Sequence, residues 1–366
     1  MRIRVALDLQ AAGRQPTGIG SYAAALAAEL RKSDEVEVLP ITWGREPTMR
    51  LHRRLEWQQL QLPLRAARSG ADLLHVTGFD APFWQPLPTI VTVHDLIGML
   101  FPHNLPSIAR FYWSRWLPWS VRCAQHIIAD SHCTKSDILR LLRVPASRIT
   151  VVPLGVEARF SPQPPDRIAA VRRRLSLPAR IALYVGTIEP RKGLDTLLSA
   201  WVSIAQSLPD VHLAIAGKPG WYVERLHAQV EELGLAQRVH WTGYVSDADL
   251  PALYSAAEVF AFPSRYEGFG LTPLEAMACG APVVSSNAAA LPEVVGQAGL
   301  LVPPDDVPAL AAMLHLALSQ PALQAELRGR GLRRAREFTW QRTAMLTRQV
   351  YQAALQHGVE RDARLH

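Results

Sequence analysis

Twelve short apolar runs, each closed by turn residues and set apart by an amphipathic stretch, limit what this 366-residue chain can fold into. In the first half they are 2–9, 36–41, 72–76, 89–93, 126–129 and 149–152. In the second half they are 181–185, 212–216, 239–242, 259–262, 283–285 and 300–302. Most are continuous in Val, Ile and Leu rather than alternating, the pattern of strands buried on both faces of a parallel sheet. Helical patterns at 20–30, 108–122 and 133–142 lie between the first six. Strand–helix alternation in two successive series predicts two doubly wound α/β domains. The length agrees, since about 100–200 residues make a domain with its own core.

The boundary is marked by Phe160–Pro165, FSPQPP, whose three prolines in six residues continue neither a helix nor a central strand. The linker is expected at about 155–168, between a first domain at 1–160 and a second at 169–338. A polar, Arg-rich helical region follows Pro321, and its last part, 339–366, is expected to pack back on the first domain.

Cys123, Cys133 and Cys279 are too few and too scattered for a disulfide framework or a cysteine zinc cluster. No apolar run approaches the roughly 18 residues of a membrane-spanning helix. The opening MRIRVALDLQ reads as a strand rather than a signal peptide, so a cytoplasmic protein is expected. Charge is unevenly spread. Residues 1–165 carry 19 basic and 13 acidic side chains, a net of +6, whereas residues 166–366 carry 20 and 19, a net of +1. Basic surface serves nucleic acid, anionic lipid or an acidic substrate, and charge alone does not choose among them. A nucleic-acid-binding module would fit the charge, but no recognition motif accompanies it.

Ligands of doubly wound sheets bind at the carboxyl ends of the strands, so the loops after the runs carry the chemistry. After the first run, Thr17-Gly18-Ile19-Gly20 opens a helix whose glycines permit close backbone approach and whose first amides suit a phosphate. Eight residues separate Leu9 from Gly18, and the second run ends in Ile41-Thr42-Trp43 with no acid for a ribose. Both features disfavour a Rossmann dehydrogenase, and a glycine-rich loop without ligand is the other reading. The fourth run ends in His94-Asp95. A histidine there can donate to a ligand hydroxyl or to developing charge, and the adjacent carboxylate can orient it or hold a sugar. A purely structural pair is the alternative.

The second domain adds stronger signals. Its first run leads into Gly186-Thr187-Ile188-Glu189-Pro190-Arg191-Lys192-Gly193, the place of a phosphate loop, with the cations a diphosphate needs. Solvated surface charge is the alternative. After the run 259–262 comes Pro263-Ser264-Arg265-Tyr266-Glu267-Gly268-Phe269-Gly270-Leu271-Thr272-Pro273-Leu274-Glu275. Pro273 in a first helical turn leaves the Leu271 and Thr272 amides at an N-terminus that attracts anions. Seven residues separate Glu267 in the loop from Glu275 in the helix, so one carboxylate can reach a sugar hydroxyl while the other clasps a ribose.

Glu267 to Glu275 within EGFGLTPLEAMACGAPVV resembles the E-x7-E segment of the retaining family 4 glycosyltransferases. GTIEPRKGLDTLL resembles their phosphate loop, TGIGSY their N-terminal glycine loop and TVHDL their donor-side histidine, in order over about residues 5–305. The resemblance implies the GT-B fold, two Rossmann-like doubly wound parallel-sheet domains facing a central cleft, with a nucleotide-diphosphate sugar seated mostly on the second. It assigns Glu275 to the ribose, Arg191 and Lys192 to the diphosphate, and Glu267 to the donor sugar. The donor is also lined by Gly268, Phe269, Gly270, Leu271 and Thr272. Gly18 and Gly20 would close on the phosphates, His94 would contact the sugar, and Tyr244-Val245-Ser246 would border the base. Stabilising the departing diphosphate is then the main task, met by Arg191, Lys192 and helix amides.

No cofactor is expected beyond the donor substrate, and no metal. Asp247 and Asp249 form the chain's one Asp-x-Asp, but Ser246 reads as the N-cap of a helix with acidic first-turn residues. Among relatives the pattern looks most like bacterial mannosyltransferases of surface polysaccharide synthesis, which points to GDP-mannose. The alternatives are a UDP-sugar glucosyl- or N-acetylglucosaminyltransferase and a GT-B epimerase of UDP-N-acetylglucosamine. A glycan or lipid-linked acceptor is implied.

Phe111-Tyr112-Trp113-Ser114-Arg115-Trp116-Leu117-Pro118-Trp119, flanked by Arg110 and Arg122, mixes Trp and Arg as interfacial helices do. Core packing of a long helix is the competing reading. With the basic, helical stretch from Arg50 to Arg68 it suggests a patch for an anionic membrane, hence peripheral attachment to its inner face. Arg172-Arg173-Arg174 reads as a solvated helix face. In ADSHCTKSDI, Ser131 can cap a helix, so the segment reads as structural, with a cleft role for Lys135 as the alternative.

Overall fold

The computed structural model describes residues 2–12, 18–44, 51–102, 106–218 and 220–363, apart from the side chains of 51 and 357–363. Thr17 and Arg50, which belong to sequence features noted above, lie outside the described residues. The chain divides into two compact units, Met1–Gly155 with Thr339–His366, and Val156–Phe338.

The first unit is built on a six-stranded sheet of β1 (Ile3–Asp8), β2 (Val36–Ile41), β3 (Leu73–Val76), β4 (Thr89–Val93), β5 (His126–Ala129) and β6 (Ile149–Val151). All pairings are parallel, in the order β2-β1-β3-β4-β5-β6. The second unit repeats the plan with β7 (Arg180–Val185), β8 (Val211–Ala216), β9 (Val239–Gly243), β10 (Val259–Phe262), β11 (Val283–Ser286) and β12 (Leu300–Val302). Its parallel order is β12-β11-β10-β7-β8-β9. These are two Rossmann-like sheets, the pair of domains of a GT-B fold. Every run read as a strand is one, displaced by a residue or two at some ends. The reason is burial: β3, β4, β10 and β11 are covered along their whole length, so apolar residues predominate on both faces, with His75, Thr89, Thr92, Ser285 and Ser286 the buried polar exceptions.

The order in which strands are added reverses between β1 and β3 in one sheet, and between β7 and β10 in the other. Such switch points leave a crevice outside the carboxyl ends of two neighbouring strands whose helices lie on opposite faces. The loops that leave β1 and β3 hold Gly18 and Thr77, and those that leave β7 and β10 hold Arg191, Lys192 and Glu267.

The aromatic helix of the first unit departs from a regular pattern. It runs as Ser107–Phe111, a π-helical turn Tyr112–Trp116, and Leu117–Cys123. Leu117 N–H donates to Tyr112 O, five residues back, immediately before Pro118. The same construction recurs at Trp57–Gln61, where Leu62 N–H reaches Trp57 O immediately before Pro63. Proline lacks an amide and its ring crowds the carbonyl four residues back, and a widened turn relieves that clash without ending the helix. The aromatic segment is divided in its contacts. Tyr112, Trp113 and Trp116 pack on the core, while Phe111 and Trp119 are 62% and 63% exposed. Trp113 and Trp116, the tryptophans at the centre of the stretch, therefore belong to the packed side.

Candidate active site

The loop after β7 is pinned before it meets any ligand. Pro190–Lys192 forms a 3-10 turn that ends at Gly193, with φ +68°. A Cβ at Gly193 would lie 2.1 Å from Pro263 O, so only glycine lets this loop press against the end of β10. Arg265 supplies the second anchor. Its backbone N–H donates to Arg191 O at 2.8 Å, and its guanidinium donates to Pro190 O. The same guanidinium holds Asp195 Oδ2 at 2.9 Å and Asp305 Oδ1 at 2.7 Å. It thus ties together the segments that follow β7, β10 and β12; β7 and β10 are adjacent in the sheet, and β11 stands between β10 and β12.

On this platform three groups converge on one oxygen. Lys192 Nζ donates to Glu267 Oε1 at 2.8 Å, Arg191 Nη1 at 3.1 Å and Ser264 Oγ at 2.6 Å. Arg191 also donates to Tyr266 O at 2.6 Å and to Glu189. The Lys192 ammonium lies 5.2 Å from the centre of the Phe262 ring. All three charged side chains are only 11–13% exposed. Burial opposes the Glu267 charge, but Lys192, Arg191 and Ser264 outweigh it and hold this carboxyl below the usual range.

Glu275 stands on the helix Leu271–Ala278, whose cap is Gly270 at φ +116°. Its Oε2 accepts from Tyr254 Oη at 3.0 Å. No cation lies within ion-pair distance of it among the described residues, and burial pushes its carboxyl up to about 8, with the Tyr254 hydrogen bond only partly offsetting this. Leu271 and Thr272 open the helix with their amides, while the Phe269 side chain turns inward to meet Phe338, ring centroids 5.9 Å apart. Val245 is buried, and its neighbour Tyr244 is exposed beneath Lys218 Nζ, 5.1 Å from the ring centre.

In the first unit the helix Gly18–Leu30 begins at Gly18, where an added methyl would meet nothing within 4 Å. Packing among the described residues therefore does not require that glycine. His94 is held on both sides of its ring, by Asp130 Oδ2 at 2.7 Å from Nδ1 and Thr77 O at 2.9 Å from Nε2. Thr134 Oγ1 donates to the His94 carbonyl at 3.2 Å, and the Tyr22 ring meets the imidazole edge-on at 4.8 Å. The carboxylate that orients this histidine is thus Asp130 rather than the adjacent Asp95, whose Oδ1 accepts from Ile97 N–H at 3.0 Å and starts a short helix.

Several sequence readings change. Ser131 caps its helix by accepting from Thr134 N–H, as expected, but Lys135 turns to the carbonyl of Ile149 at 2.9 Å. Ser246 is not an N-cap: the helix starts at Leu250 behind Asp249, and Ser246 Oγ donates to that carboxylate at 2.7 Å. Arg172 and Arg174 are not merely solvated, since one donates to Ala256 O at 2.8 Å and the other pairs with Asp249. Asp130, Arg265 and Tyr254 do not stand out in the sequence. Asp130 and Tyr254 come from a strand end and a helix remote from their partners, and Arg265, though in the loop of Glu267, has its partners on the segments after β7 and β12.

Comparison with known proteins accords with this geometry. The pattern of the glycosyl transferases group 1 matches residues 170–334, and that of glycosyltransferase family 4 matches residues 16–160. The O-antigen chain mannosyltransferase B of Escherichia coli is 33% identical over 364 residues, 92% of this chain and 96% of the relative. The chain belongs to the family 4 glycosyltransferases. Sucrose-phosphate synthase from Thermosynechococcus elongatus superposes on this glycosyltransferase with a TM-score of 0.77 and 25% identity, over 96% of this chain and 99% of the other. Anabaena HepE, solved with UDP-glucose, matches with a TM-score of 0.73 and 20% identity over 96% and 100%, a likeness of fold. Among the described residues no His, Cys, Asp and Glu gather in threes as metal ligands, and no helix is long and apolar enough to cross a membrane.

Proposed function

We propose that this glycosyltransferase moves a hexose, with retention of configuration and without a metal ion, from a nucleotide-diphosphate sugar to a glycan or lipid-linked acceptor. The observation that carries the reading is the convergence of Lys192, Arg191 and Ser264 on Glu267 at the β7/β10 switch point. Lys192 has three N–H donors, of which Glu267 takes one, so the ammonium can serve phosphate oxygens while Glu267 keeps it in place. As the bond to the sugar breaks, negative charge grows on the diphosphate. Cations and helix amides already fixed there stabilise it without reorganising. Glu267 faces the donor sugar, Glu275 takes the ribose, and Val245 borders the base. Gly268, Phe269, Gly270, Leu271 and Thr272 line the donor through their backbone, and Gly18, Gly20 and His94 act from the first unit.

Two donors are in competition. The name of the Escherichia coli relative favours mannose, hence GDP-mannose. The UDP-glucose in the Anabaena structure favours a UDP-hexose. A thermal-unfolding screen against GDP-, UDP-, ADP- and dTDP-sugars separates them, because a ligand bound only by the folded chain adds about 2.7 kcal/mol at a hundred times its Kd. Stabilisation by one nucleotide class supports the reading, and stabilisation by none contradicts it.

Membrane attachment belongs to the same proposal. Helical segments 51–68 and 106–123 carry seven arginines against Glu56 alone, which accounts for the excess charge of the first half. Ile108, Phe111, Trp84, Trp119 and Leu60 are exposed among or beside them. Apolar side chains within a cationic surface suit the inner face of an anionic bilayer.

A further inference from the structure

Buried His75 and part-buried His94 of the first sheet sit on neighbouring strands or their ends, and their partners differ in kind. His75, on β3, has Tyr351 Oη at 2.7 Å from Nδ1 and Thr92 Oγ1 at 2.8 Å from Nε2. Hydroxyls donate or accept as needed, so one ring proton satisfies both contacts and His75 is neutral. Burial accordingly pushes it down to about 3. His94 has no such freedom. A carboxylate and a carbonyl both only accept, so each of its ring nitrogens must carry a hydrogen if both contacts are to be hydrogen bonds.

The carboxylate leads to the same answer from its own side. Asp130 is 2% exposed, and its Oδ1 is buried without a hydrogen-bond partner. Among the described residues its one ion-pair partner is His94. A buried carboxylate is costly unless a positive charge faces it.

We propose that Asp130 is a positioning residue that keeps His94 as an imidazolium, so that the carboxyl end of β4 presents a fixed positive charge. The groups that face this ring are Asp130 from the end of β5, Asp95 beside it in the chain, neutral His75 from β3, and the Tyr22 and Phe79 rings. Burial opposes the charge, and Asp130 overcomes it to raise His94 above the usual histidine range. Both N–H groups are committed, so His94 acts on an anionic ligand by its charge and not by giving up a proton. The activity arm of this inference rests on the proposed glycosyl transfer; the protonation state does not.

Histidine-labelled protein, read by nitrogen NMR at pH 7.5 with His94→Gln for assignment, decides the protonation state without substrate. Two protonated ring nitrogens on His94 and one on His75 are expected, and a bare nitrogen on His94 overturns the proposal even if the enzyme is active. With donor and acceptor, Asp130→Asn should move the alkaline fall in kcat to lower pH, because burial of the imidazole then acts without the facing carboxylate. The donor KM should stay within about threefold, since Asp130 acts through charge at the reacting end and not through binding. An unchanged pH profile in folded Asp130→Asn contradicts it. Should that variant fail to fold, the wild-type spectrum alone decides between the two protonation states.

Discussion

Glu267 and Glu275 belong to one loop and the helix that follows it, yet their surroundings give them opposite character. Glu267 meets two cations and a hydroxyl and stays ionised, whereas Glu275 meets one tyrosine hydroxyl and holds its proton up to about pH 8. The difference teaches that spacing places two carboxylates at a site but partners from other strands set what each can do. Glu267 is the fixed charge that organises the phosphate cations. Glu275, which burial keeps protonated up to about pH 8, is suited to exchange hydrogen bonds with hydroxyls.

The largest effect should come from Glu267→Gln. The amide keeps the shape and loses the charge that holds Lys192 and Arg191, so kcat/KM should fall about a hundredfold to a thousandfold, the loss typical of disturbing preorganised charge. Steady-state kinetics with saturating acceptor reads it, and a change under about threefold would make the two glutamates equivalent after all. Glu275→Gln should act mainly on donor affinity, raising KM about tenfold with kcat little altered.

That second variant also has a stability signature. A carboxyl raised in the folded state from its usual value near 4.3 keeps a proton that the unfolded chain has lost. Its stabilising contribution is complete below that value and disappears as pH rises toward about 8. Wild-type Tm should therefore decline more than that of Glu275→Gln between pH 5 and 8, and parallel curves would remove the contrast between the two carboxyls.

The smallest effect on the fold is expected from Phe111→Ala with Trp119→Ala, both exposed. Stability should change by less than about 0.5 kcal/mol. Association with anionic vesicles should weaken severalfold if the patch docks there, and unchanged association would dissociate it from the membrane.

What is legible in the sequence follows the same division. The strands can be read because burial on both faces writes itself as short runs dominated by apolar residues rather than as strict alternation. The cluster around Glu267 can be read because Arg191, Lys192 and the glutamate each lie in a loop that follows such a run. Asp130 and Arg265 also follow strands, but their meaning lies in partners: His94 for one, Asp195 and Asp305 for the other. Those pairings depend on strand order, which no local pattern encodes. The state of Glu275 is hidden for a further reason, because it depends on which cations are missing around it. The π-helical turns before Pro63 and Pro118 do have a local signal, a proline in a stretch that otherwise continues as helix.

The central claim is that the β7/β10 switch point of the second unit holds a sugar-nucleotide diphosphate. Calorimetric titration of the stabilising donor into wild type and Lys192→Ala tests it most directly. Loss of one charge-assisted contact predicts donor binding weaker by at least about tenfold, from 1.5–3 kcal/mol, with the unfolding transition retained. Equal affinities in the two folded proteins would place the diphosphate elsewhere and contradict the account.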